Sequence, residues 1–132
     1  MTLRVLLATL AMAILSTGCA FDISYVKQYP ASFVPLAGHA PEQFMLNEDV
    51  KATLGTTYAT RLLAGSRWQQ TGTTQYGKIF HTKDQIVTVE ASDIYEADLV
   101  VSNQMMTGFY LVVEKTFAPV RQPTPLHITL LN

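Results

Sequence analysis

Apolar and polar residues alternate through the second half of this chain. Val87, Val89 and Ala91 interleave with Ile86, Thr88 and Glu90; Ala97, Leu99 and Val101 with Glu96, Asp98 and Val100. Phe109, Leu111 and Val113 alternate in the same way with Tyr110, Val112 and Glu114. A period of two sends one set toward a packed face of a sheet and the other away from it, which predicts strands over 86–91, 97–101 and 109–114. Residues 102–108, SNQMMTG, have the length of a hairpin connection, so the last two strands are expected to pair antiparallel. The region is dense in Val, Ile, Phe, Tyr and Thr, which suit a pleated surface.

Weaker patterns extend this reading in both directions. SRWQQTGTTQYGKIFH predicts short strands around 67–71 and 77–81, turned by 72–76, with Gly65, Gly72 and Gly77 as permissive corners. Pro119, Pro123 and Pro125 predict a loop before a last strand over 126–131. Residues 49–63 are ambiguous: Val50, Leu54, Tyr58 and Leu62 recur every four residues as on a helix, but Gly55 and four threonines favour strands. The expected fold is mainly β, a small antiparallel roll, barrel or sandwich of five to eight short strands over 44–132. It follows an extended, proline-containing tether over 19–43.

That tether is unusually apolar. Pro30, Pro35 and Pro41 exclude a helix, and flexible linkers are normally Gly/Ser-rich or charged. This one carries Phe21, Ile23, Tyr25, Val26, Tyr29, Phe33, Val34 and Leu36. Such a segment is expected to pack along its own domain, to lie on a bilayer surface, or to add to a partner as an extended strand.

The N-terminus changes the picture more than any strand. A basic start at Arg4 is followed by VLLATLAMAIL (Val5 to Leu15), then small residues, then Cys19, the order of a secretory signal. The uncharged run Val5 to Phe21 is 17 residues, short of the ~20 that cross a bilayer. Cys19 is the only cysteine, so it cannot serve as an internal disulfide, whereas secreted proteins usually pair their thiols. LSTGC, residues 15–19, resembles the lipobox of bacterial lipoproteins. The resemblance implies cleavage between Gly18 and Cys19, removal of residues 1–18, an S-diacylglycerol on the Cys19 thiol and an acyl group on its amine. With Ala20 rather than Asp after the cysteine, it implies retention at the outer membrane, with the domain expected on the periplasmic face. Two or more acyl chains anchor stably where one does not.

Composition bounds the rest. The 114 residues after the expected cleavage make one domain. Eight basic against ten acidic side chains remain in them, and no basic face points to nucleic acid. Charged residues are 14% of the chain, below the usual ~25%, and the apolar content argues against disorder.

Candidate chemistry is sparse. Asp84, Glu90, Asp93, Glu96 and Asp98 crowd 84–98, but their spacing is not that of a calcium loop and fits a solvated sheet face. His39, His81 and His127 stand in separate segments without zinc spacing, and no nucleophile elbow or phosphate loop is present. No metal, cofactor or catalytic residue is therefore assigned. Trp68 is expected in the core. Met105 and Met106, at the expected hairpin tip, are candidate partner contacts together with Tyr29 and Phe33, and Tyr95 and Tyr110 could extend that patch. These features lead us to expect a non-enzymatic, membrane-anchored lipoprotein whose β-domain binds or stabilises another envelope protein. The alternatives are a small-ligand or cation binder using 84–98 or a barrel mouth and, third, a wall or lipid enzyme using Glu90 and Glu96.

Overall fold

The computed structural model describes residues 25–55 and 58–132. Gly18 and Cys19, and with them the expected signal and lipid site, lie outside the described residues. The described chain is all strand: β1 (Tyr29–Pro30), β2 (Val34–Pro35), β3 (Gln43–Leu46), β4 (Val50–Ala52), β5 (Thr60–Leu62) and β6 (Arg67–Thr74) come first. They are followed by β7 (Gly77–Thr82), β8 (Thr88–Glu90), β9 (Ile94–Ser102), β10 (Met105–Leu111), β11 (Thr116–Pro125) and β12 (Ile128–Leu130). Every pairing is antiparallel, in one ten-stranded sheet and a β4–β5 pair. The mainly-β antiparallel class read from the alternation is what the chain adopts. Six strands have four residues or more; the other six are two- or three-residue pieces. The ambiguous stretch 49–63 supplies β4 and β5.

The centre of the sheet runs β6–β7–β9–β10–β11. Its two outer strands are joined by one short stretch of chain: β1 pairs with β11 (Tyr29 opposite Phe117), and β2 pairs with β6 (Val34 opposite Thr73). In a flat sheet β1 and β2 would stand about 29 Å apart, six spacings of ~4.8 Å. The four residue steps from Pro30 to Val34 reach at most ~14 Å. The sheet must therefore curl until its edges nearly meet, with residues 29–35 as the closing strap.

Alternation gives this curled sheet two packed faces. Phe80, Leu99, Phe109 and Ala118 point into the larger core, roofed by Phe44 and Leu46 of β3, Leu62 of β5, Leu54 and Val89. Ile79, Val100, Tyr110 and Phe117 point the other way into a smaller cluster with Ala31 of the strap. Phe33 stacks on Tyr110 (5.5 Å between centroids) and Tyr76, from the β6–β7 turn, on Phe117 (4.2 Å). Trp68 is buried in the larger core as expected, its indole N–H donating to Ser66 Oγ at 2.9 Å.

Two boundaries differ from expectation for reasons of backbone geometry. The β9–β10 connection is not the whole of 102–108 but two residues, Asn103 and Gln104, at φ 53° and 63°. Positive φ at both is the type I′ turn, whose twist matches the flanking strands. Met105 and Met106 consequently belong to β10, and Val113, expected on a packed face, is exposed in the β10–β11 turn. The proline-containing stretch 119–125 is not a loop but most of β11, a ten-residue strand. The amide of Arg121 donates away from β10, to Thr53 O at 2.8 Å. Pro119 and Pro123 lie two residues on either side of it, where the missing N–H would also face the outer edge.

Candidate functional site

A cleft of about 570 Å³ lies between β12 and the strands β7 and β9. Phe44, Phe80, Val101, Leu126, Ile128 and Leu130 give it an apolar lining. At its rim, Lys78 Nζ donates to both oxygens of Glu42, at 2.9 and 2.8 Å. Both partners are about half exposed, so the pair orients the rim more than it stabilises the fold.

One wall of the cleft is a strand edge. Among the described residues, β12 ends the sheet and pairs with β3 alone, Ile128 opposite Leu46 and Leu130 opposite Phe44. Leu131 N donates to Gln43 O and His127 O accepts from Asn47 N, so the odd-numbered residues turn their backbone groups toward β3. Because backbone direction alternates, the N–H and C=O of Ile128 and Leu130 face the open side, while their side chains line the cleft. Leu130 is 70% exposed. A bare edge beside an apolar trough can accept a further strand, with backbone hydrogen bonds to the edge and side chains in the trough.

The expected site residues are scattered relative to this cleft. Met106 is fully buried in the larger core and cannot meet a partner; the alternation of β10 turns only Met105 toward the surface. Tyr110 is buried under Phe33 on the opposite face of the sheet, and Tyr95 is half-buried against the larger core, so neither extends a patch with the methionines. Phe33 and Tyr29 lie in the strap, at 37% and 40% exposure, with one side of each already on the domain.

The acidic stretch is divided by the strands that carry it. Asp84 accepts from the Arg67 amide at 2.7 Å and faces its guanidinium, and these bonds hold its carboxyl below the usual range. Asp98 meets His81 Nδ1 at 2.7 Å; burial raises its carboxyl above the usual range, and the histidine bond opposes that rise. Burial likewise raises the Tyr110 phenol, with the Asp98 charge adding to it. Glu90 and Glu96 are exposed, opposite Ile94 and Thr88 respectively, and open onto two different shallow depressions. Among the described residues no three Asp, Glu, His or Cys side chains gather as metal ligands would. His39 is exposed in the β2–β3 connection, and His127 pairs with Glu48 at 3.3 Å.

The cleft itself was not visible in the sequence. Leu126 to Leu131 reads as a strand, yet its position at the end of the sheet depends on pairing with residues more than 80 positions away. No family model matches this chain, and no curated protein or solved structure matches it either.

Proposed function

We propose that this chain is a lipoprotein held on the periplasmic face of an outer membrane through Cys19. Its β-domain, acting without catalysis, binds an extended segment of another envelope protein in the cleft beside β12. The observation that supports the binding reading is the free edge of Ile128 and Leu130 lying against an apolar trough. Three residues offer few backbone bonds, so the side chains seated on Phe44, Phe80 and Leu126 must carry much of the affinity. The anchor rests on the lipobox resemblance at residues 15–19. Replacing Cys19 with serine is expected to leave an uncleaved or mis-sorted precursor whose domain still folds.

A photocrosslinking amino acid at Leu130, activated in intact envelopes, tests the binding reading. The expected product is a discrete adduct with a second envelope protein, lost when Ile128 is changed to lysine. Absence of any adduct, or adducts only between copies of this chain, would overturn it. The volume of the cleft also falls within the ~300–1,000 Å³ of small-ligand sites, which favours a small apolar ligand as the second reading. Native mass spectrometry separates the two, since a bound small molecule adds a fixed mass to the purified protein.

A further inference from the structure

The first described residues carry information about how the domain sits on its membrane. Two contacts bring Tyr25 near Arg121 through Gly55: the carbonyl of Tyr25 lies against Gly55, and the carbonyl of Gly55 accepts from Arg121 Nε at 2.8 Å. Val26 packs on the larger core and Gln28 Oε1 accepts from Thr116 Oγ1 at 2.8 Å, so alternate residues face inward. Tyr25, Lys27 and Tyr29 face outward, with Tyr25 62% exposed. Beside them stands the exposed Arg121, and among the described residues neither it nor Lys27 enters an ion pair.

We infer that this face, Tyr25, Lys27, Tyr29 and Arg121, docks on the surface of the same bilayer that holds the acyl chains of Cys19. The inference rests on the lipid-anchor reading above and deepens it. Six residue steps separate Cys19 from Tyr25, a reach of ~20 Å at most. A domain of about 100 residues has a radius of gyration near 13 Å and a diameter of roughly 35 Å. The point where the described chain enters the domain therefore stays within ~20 Å of the bilayer, less than the width of the domain, and the surface around Tyr25 is the one the tether keeps closest to the headgroups. Tyrosines with an apolar ring and polar tip suit the headgroup layer, and Lys and Arg lay their apolar stems in it while meeting anionic lipid. Of the apolar tether expected over 19–43, the segment Tyr25 to Tyr29 then lies between its domain and the membrane.

The test uses mature lipidated protein, reconstituted in vesicles of phosphatidylethanolamine and phosphatidylglycerol brominated near the headgroup end of the chains. An environment-sensitive fluorophore is attached through Lys27→Cys and, in a second preparation, through Glu48→Cys in the exposed β3–β4 turn, next to His127 at the start of β12, the last strand of the sheet order. Acylated Cys19 does not react with the label. Quenching at position 27 is expected to be at least threefold stronger than at 48, and Tyr29→Cys should repeat the result. Equal quenching at both ends, or none at either, overturns the docking. The intact mass is read first. With acylated Cys19, a negative quenching result removes the docking and leaves the anchor standing; an intact thiol at position 19 removes the anchor and the docking with it.

Discussion

The two ends of the described chain meet the same sheet in opposite ways. The N-terminal strap covers edges: residues 29–35 bond to β11 on one side and β6 on the other, and the Gln75 side chain clamps Ser32 and Pro30 at 2.9 and 3.1 Å. Beyond the strap, the outer side of β11 is blunted by Pro119 and Pro123. The C-terminal strand does the reverse. β12 pairs on one side only, and neither its three residues nor their immediate neighbours include a proline, lysine or carboxylate that would repel another strand. Unprotected edges invite pairing with other chains, and folded proteins ordinarily guard them. Guarding one end so thoroughly while leaving the other bare beside an apolar cleft is the contrast on which the proposed binding at β12 rests.

The largest effect should come from unseating the strap. A Cβ at Gly72 would meet the Val34 carbonyl oxygen at 2.4 Å and the Phe33 ring at 2.7 Å. Backbone against backbone has little room to relax, so Gly72→Val is expected to destabilise by about 2–3 kcal/mol in denaturant unfolding. Phe33→Ala probes the same seat more gently. The ring covers Tyr110 but keeps part of its surface in water, so a loss of about 1–2 kcal/mol is expected, below the 3–5 of a fully buried phenylalanine. The smallest change in stability should follow Leu130→Lys at the bare edge, within about 0.5 kcal/mol of the parent. That same variant should abolish the crosslinked adduct formed from a probe at Ser102, on the facing rim of the cleft. If Leu130→Lys destabilised the domain as much as Gly72→Val, β12 would be a structural strand and the contrast between the ends would fail.

How much of this was legible in the sequence depended on the range of the interactions involved. The alternations at 87–91 and 97–101 and at Phe109 and Leu111 are local, and they appear as β8, β9 and β10 with Val89, Leu99 and Phe109 buried. Trp68 in the core follows from its size. Met106 departs from its expected place at a hairpin tip because a two-residue turn at Asn103–Gln104 places it inside a strand, and the φ > 0 preference there lacks the usual glycine signal. β11 runs through the expected loop because prolines mark a loop only where the missing N–H is needed, and the outer side of an edge strand does not need it. In the strap the signal was present but incomplete: Val26 and Gln28 alternate with Tyr25, Lys27 and Tyr29, yet nothing local names β11 as the partner, some 88 residues distant.

By itself the sequence determined the class of element and the residues able to fill a core, and it offered the resemblance on which the proposed lipid at residue 19 rests, because all three reside in short windows of side-chain type. Only the tertiary structure decided which edges are covered, which strand is left bare, and that an apolar leader folds back as a closing strap. Edge status is a property of strand order, and strand order is set by backbone pairing between distant segments whose hydrogen-bonding groups are the same at nearly every residue.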